Sequence, residues 1–416
     1  MHFVFIYPQL KNLTGAQRLI LSLAEAVSEL PDQNPPHRVT LLTHNISIAC
    51  RQALPPSVQV VETGSNLNRT GNHYLDSLLE YLSVPFLLKY LGNSVKCRAN
   101  KIDATKKALA SPPEAICFFG PPSLPGLWWA KKVLHLKIPL LYFCYEPPRA
   151  AYTDILEVSN AWAGNFGRFA RFLFRLYRPV DRYFAKQASG ILVNGLYAQG
   201  LIRETYGLPS TIITHGVNFP PLKDKAEAAA MIRARHNLEN KKLILTVNHL
   251  HPRKRVDLQL LALSLLLKKE PQSALLVIGT GPEAVRLRQL ATQLKLNETQ
   301  VVFAGFVPEM DLPAYYAAAD VYLHSGRAES FGLSVLEASA SGLPVVAADE
   351  GGPKDIILEG ETGFLVPANP ENFADKIGWL FSNPQLALSF GQRGAETVAN
   401  RFTWSTGAAD FLSAFR

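Results

Sequence analysis

Glu329 and Glu337 stand eight residues apart, with Ser330, Phe331, Gly332 and Leu333 between them. A strand-like run ending at His324-Ser325-Gly326 precedes the pair, and Phe331–Ala340 has helical composition. Ser330 can start that helix, which would put Glu329 at its mouth and Glu337 about two turns in. Backbone N–H groups of a first turn are free to take an anion or an oxygen-rich ligand. A carboxylate beside them can accept hydrogen bonds from sugar hydroxyls, and a second can hold the vicinal diol of a ribose. From spacing alone the pair also reads as a carboxylate favoured by the helix dipole and an ordinary exposed helix residue.

Cations lie upstream. His249, Arg253, Lys254 and Arg255 fall between a strand-like run and a helical one, a position suited to a phosphate group; a solvated charge run is the other reading. A third group, Tyr145-Glu146-Pro147-Pro148-Arg149, follows a strand and ends in a stiff Pro-Pro turn. Tyr145 or Glu146 can position a second substrate there, or simply close the strand end. Finally, Arg168, Arg171, Arg175, Arg178, Arg182 and Lys186 recur at helical spacing, with a break expected before Pro179. Phe166, Phe169, Phe172, Phe174 and Tyr177 interleave with them. Such a helix can lie on an anionic lipid surface or receive a pyrophosphate-linked lipid; it can equally pack by its aromatics and leave a basic face in water. Trp128-Trp129 with Lys131-Lys132 can extend the same surface.

Elements that could hold these groups alternate along the chain. Strands are expected at Phe3–Tyr7, Val39–Thr43, Val58–Glu62, Ala115–Phe119, Leu140–Tyr145 and Gly190–Asn194. A second series follows at Lys242–Asn248, Ala274–Gly279, Val301–Phe306, Val321–His324 and Val345–Ala348. Helical patterns lie between, including 14–30, capped by Thr14, and Val256–Lys269. Asn218-Phe219-Pro220-Pro221 interrupts the alternation near residue 216. The expectation is α/β: two doubly wound domains, each with a parallel sheet. Ligands would then sit beyond the carboxyl ends of the strands, in a cleft between the domains.

Composition narrows the function classes. The 416 residues are 48% hydrophobic and 18% charged, which excludes a disordered or fibrous chain. No apolar run approaches the ~20 residues of a membrane-spanning helix. The N-terminus, without a basic leader, reads as a first strand and not a signal peptide. Four cysteines make no CxxC or metal-ligand spacing, which suits a reduced, cytoplasmic setting. The net charge of +8 sits in the first half: residues 1–215 carry 22 basic and 13 acidic residues, the remainder 20 and 21. A basic half suits an anionic surface or a phosphate-bearing acceptor; nucleic acid is not expected, since no binding module is present.

The segment around Glu329 and Glu337 resembles the Glu-x7-Glu motif of the retaining glycosyltransferases of family 4, which adopt the GT-B fold. Its neighbours match that family in order: Val302–Phe306, Tyr315–Val321, Gly342–Ala347, Gly351-Gly352-Pro353 and Thr362–Val366. Asn12–Arg18, including Gly15, is similar to the family's Gly-rich first loop. His215–Phe219 is similar to its interdomain segment, and Phe402-Thr403-Trp404 to the start of its last helix. The resemblance implies a GT-B protein of two Rossmann-like domains facing each other across a cleft. Residues 1–215 would bind acceptor, 216–396 would bind the nucleotide sugar, and a C-terminal helix, 397–416, would cross back to the first domain.

Residue by residue, the resemblance assigns Glu329 to sugar hydroxyls, Glu337 to the ribose, and Phe331, Gly332 and Leu333 to the sugar and diphosphate. Lys254 matches the phosphate lysine. His249 stands where the family has arginine, Arg255 where it has glycine, and Tyr145 where many mannosyltransferase-like members have histidine. Glu329, Lys254 and Tyr145 are thus the implied catalytic group, with Gly15, His249 and Arg255 added on the donor side. Glu146, Arg149, Arg168, Arg171 and Arg175 would face the acceptor or a membrane. The implied reaction is metal-independent hexosyl transfer, mannosyl by the Pro-Pro-Arg segment, with retention and front-side attack. Its partners would be a nucleotide-diphosphate sugar as co-substrate, with no further cofactor, and a glycan or lipid-linked acceptor. The setting would be cytoplasmic or the inner face of a membrane. Two alternatives stand beside it: another enzyme on the fold, an epimerase or phosphorylase, and a non-catalytic sugar-nucleotide or glycan-binding member.

Overall fold

The structure is a computed structural model describing residues 1–11, 15–30, 36–64, 83–85, 87–88, 112–148, 151–152, 164–219 and 222–415, without the side chains of 164–174. Thr14, Arg149 and the side chains of Arg168 and Arg171 therefore lie outside the described residues. The chain divides into two compact units, Met1–His215 with Trp404–Arg416, and Gly216–Thr403.

The first unit is built on a seven-stranded parallel sheet. Its strands are β1 (His2–Ile6), β3 (Arg38–Thr43), β5 (Val58–Glu62), β6 (Ala115–Phe119), β7 (Leu140–Phe143), β8 (Gly190–Val193) and β9 (Thr211–Ile212), in the order β5-β3-β1-β6-β7-β8-β9. Strands buried on both faces read as unbroken apolar runs, and all five residues of β6 are buried. Short β2 (Gln9–Leu10) and β4 (Asn45–Ile46) pair separately. Helix Gly15–Ser28 covers one face with Leu19, Ile20, Leu23 and Val27. Helix Trp404–Phe415 packs with it, setting Phe411 against Phe3 and Phe5 at ring distances of 5.5 and 5.3 Å.

The second unit holds β10 (Lys242–Val247), β11 (Ser273–Ile278), β12 (Val301–Gly305), β13 (Val321–His324), β14 (Val345–Ala348) and β15 (Gly363–Val366). The order is β12-β11-β10-β13-β14-β15, again all parallel. The chain runs outward from β10 through β11 to β12, then returns to the other side of β10 for β13. Strand order thus reverses between β10 and β13, and at such a switch point the connections after the two strands diverge to opposite faces and leave a crevice.

Three expectations need correction. The Glu337 helix begins at Leu333 and not at Ser330, because Gly332 has φ of +100° and cannot sit inside a helical turn. The basic helix does not break before Pro179: it runs from Gly164 to Ala185. Arg175 and Pro179 are both exposed, so water can satisfy the carbonyl that proline deprives of a donor. The chain leaves the second unit after Thr403 and not at 397; helix Pro384–Arg401 stays behind, with Val398 buried in that core.

Candidate donor site at the carboxyl ends of β10 and β13

Beyond β10 the chain makes a short turn, Pro252–Lys254, then enters helix Val256–Leu266. Beyond β13 it makes the loop 325–332. These two connections flank the switch point, and they meet through charge. Lys254 Nζ donates to Glu329 Oε1 at 2.5 Å, and Arg253 Nη1 lies 3.8 Å from the same oxygen. Arg253 also donates to the Ala328 carbonyl at 3.3 Å. Burial pushes the Glu329 carboxyl up, but the charges of Lys254 and Arg253 outweigh it and hold the group well below the usual carboxylate range. Glu329 is therefore an anion whose two cations are already in place.

Buried hydrogen bonds fix the loops to each other. Ser325 Oγ donates to the carbonyls of Lys254 and Arg255 at 2.7 and 2.9 Å. Gln259 Nε2 reaches Ser325 Oγ at 2.9 Å and Thr246 Oγ1 at 3.1 Å. The Arg327 amide donates to the Arg253 carbonyl at 2.8 Å. On the other side, the Gly352 amide donates to the Glu329 carbonyl at 2.8 Å. A Cβ at Gly351, whose φ is +71°, would lie 2.6 Å from that carbonyl, so the 350–352 loop rests directly on the Glu329 backbone.

Glu337 is buried, not an exposed helix residue, and accepts from Tyr316 Oη at 2.8 Å. Phe331 is also buried, packed on Phe402 at 6.0 Å. Gly332 precedes the helix as its cap residue, and Leu333 opens it. His249 is exposed. Arg255 does not join the cations around Glu329: its Nε donates to the Ser325 carbonyl at 2.8 Å and its Nη1 to Glu350 at 3.1 Å. His324 lies beneath the site, where burial pushes its imidazole down to about 4; neither ring nitrogen has a partner among the described residues. Above that value it is neutral. The roles of Tyr316, Ser325, Gln259 and Glu350 at the site are not read from the sequence. Gln259 alone left a signal, a polar residue among Val256, Leu260 and Leu263 on an apolar helix face.

In the first unit, Gly15 opens helix Gly15–Ser28, and Tyr145 and Glu146 are half-buried after β7. Ala151 and Tyr152 are anchored to the basic helix. Arg178 Nε donates to the Ala151 carbonyl at 2.6 Å, and its guanidinium lies 5.0 Å from the Tyr152 ring. Buried Asp181 accepts from Tyr152 Oη at 3.1 Å and Tyr206 Oη at 2.9 Å. Arg175 is exposed on the same helix. Among the described residues no group of His, Cys, Asp and Glu could hold a metal ion, and no helix is long and apolar enough to cross a membrane.

Residues 229–397, which include both connections, match the family model described as Glycosyl transferases group 1. A GDP-mannose-dependent α-(1-6)-phosphatidylinositol monomannoside mannosyltransferase of Mycolicibacterium smegmatis is 32% identical over 243 residues, 56% of this chain and 63% of that protein. Mannosylfructose-phosphate synthase of Agrobacterium fabrum is 34% identical over 301 residues, 68% of this chain and 63% of that protein. The chain thus spans less than two thirds of the length of these relatives. A crystal structure of Anabaena HepE in complex with UDP and glucose superposes with a TM-score of 0.71 at 19% identity, covering 99% of this chain and 98% of that one. At that identity the likeness is one of fold, the α/β GT-B fold.

Proposed function

We propose that this protein, whose residues 229–397 match the family model described as Glycosyl transferases group 1, moves a hexosyl group from a nucleotide-diphosphate sugar to an acceptor hydroxyl, with retention of configuration. The observation that carries the reading is the Lys254–Glu329 pair at the β10/β13 switch point, inside the matched segment. A diphosphate gains negative charge as the sugar departs, and it needs a cation that no other anion holds. Lys254 exchanges Glu329 for the phosphates on donor binding, with Arg253 beside it. Glu329, released, accepts from sugar hydroxyls. Glu337, oriented by Tyr316, takes the ribose diol. The acceptor oxygen attacks on the face from which the diphosphate leaves, and a phosphate oxygen takes its proton. Protein groups orient and stabilise charge, with no metal required.

Mannose from GDP-mannose is the donor this reading favours, supported by the Pro147-Pro148 segment and by what the mycobacterial and Agrobacterium relatives are named for. The acceptor is a glycan or lipid-linked hydroxyl bound by the first unit, with Tyr145 and Glu146 positioning it and the basic helix seated on anionic lipid. The test is release of free nucleotide diphosphate from GDP-, UDP- and ADP-sugars, with and without acceptors and with EDTA. Release that depends on an acceptor, survives EDTA and leaves an axial product linkage for mannose supports the proposal. Donor binding without turnover for any sugar would replace it with a non-catalytic binding role.

A further inference from the structure

Arg255 occupies a costly position. It has φ of +48° and ψ of 42°, the left-handed region that glycine enters freely and residues with a Cβ resist. Its Nη2 is buried with no partner among the described residues. A solvated surface arginine would give no reason to hold either. What the residue gains is reach: from the β10 connection its Nε bonds the Ser325 carbonyl, at the start of the Glu329 loop, and its Nη1 bonds Glu350, at the start of the loop beyond β14. The last of these loops carries Gly351 and Gly352, which lie on the Glu329 backbone. One side chain thus ties together the three connections that surround Glu329.

We infer that Arg255 is a positioning residue of the donor site, a strut that sets Lys254, Glu329 and the 350–352 loop at their mutual spacing. It acts through its neighbours and touches no substrate. The role in turnover rests on the donor-site reading above; the strut itself does not. Arg255→Gly is the informative variant, because it removes the guanidinium and relieves the left-handed backbone at once. A residue retained for stability would lower Tm when lost, whereas a strut held against strain need not.

The experiment compares wild type, Arg255→Gly, Arg255→Lys and Glu350→Gln by thermal melting, by hydrogen exchange at the Arg327 and Gly352 amides, and by donor turnover. In Arg255→Gly, Tm is expected to stay within about 2 °C of wild type or rise. The two amides should exchange about tenfold faster while those of β10 hold. Turnover should fall by about tenfold in kcat, with nucleotide-diphosphate binding changed less than about threefold. Arg255→Lys keeps charge but cannot bond both loops, and should follow Arg255→Gly; Glu350→Gln should fall between. Unchanged exchange at both amides overturns the strut, whatever the activity. Faster exchange in a protein whose wild type turns over no donor upholds the strut and removes the donor reading instead. Faster exchange with unchanged kcat overturns the positioning role.

Discussion

Lys254 holds the Glu329 carboxylate at 2.5 Å with both side chains largely shielded from water, so each is the other's substitute for a hydration shell. Removing one partner strands the other. Lys254→Ala or Glu329→Ala should each destabilise the second unit by about 3 kcal/mol in urea unfolding, and the double variant by less than the sum. The pH dependence follows in sign. A carboxylate held below its ordinary value of about 4.3 contributes stability that is complete above that pH and lost as pH falls beneath it. Wild type and Glu329→Gln should therefore differ most above pH ~5 and converge in stability under acid. The residue types at this site were legible, since two carboxylates and a lysine stood in suggestive order. Their pairing was not, because seventy-five residues separate them and only the strand order brings their loops together.

Strands are where sequence spoke most clearly. A parallel strand buried on both faces needs an unbroken apolar run, and β6, β13 and β14, buried throughout, match their expected bounds, as does the partly exposed edge strand β5. The two-residue β9 was too short to show a pattern, and β15 begins at Gly363, which strand composition disfavours. Helix starts were misread where backbone conformation and not composition decides, as at Gly332. Buried polar anchors other than Gln259 were also silent, and Asp181 is the instructive one. Burial raises its carboxyl from 3.8 to about 6 despite the hydroxyls of Tyr152 and Tyr206. Its folded state binds the proton more tightly than the unfolded chain, so the penalty is full above pH 6 and fades as pH falls towards 4. Asp181→Asn, which keeps an acceptor oxygen for the tyrosines, should gain on the order of 2 kcal/mol at pH 8 and far less at pH 4.5, measured by thermal melting at both.

Across the molecule the positive charge is concentrated in the first half, and the structure shows where some of it lies. Helices Leu124–Lys132 and Gly164–Ala185 pack together, with Trp128 5.4 Å from Phe184. Trp129, Leu176, Val180 and Tyr183 remain exposed there beside Lys132, Arg175, Arg182 and Lys186. Apolar side chains among cations suit a lipid interface with anionic headgroups. Co-sedimentation with anionic vesicles at low salt, weakened by added salt and by Val180→Asp with Tyr183→Asp, is the expected outcome; no binding to anionic vesicles at low salt would dismiss the surface. The return of Trp404–Phe415 to the first unit carries another consequence, for the order of events on the ribosome. Phe411 fills the space against Phe3 and Phe5, yet all of Gly216–Thr403 must be translated before it emerges. At about 5–20 residues per second that interval is roughly ten to forty seconds. Through it the nascent first unit waits with Phe3 and Phe5 lacking Phe411 against them, while the second unit, contiguous in sequence, is complete before it.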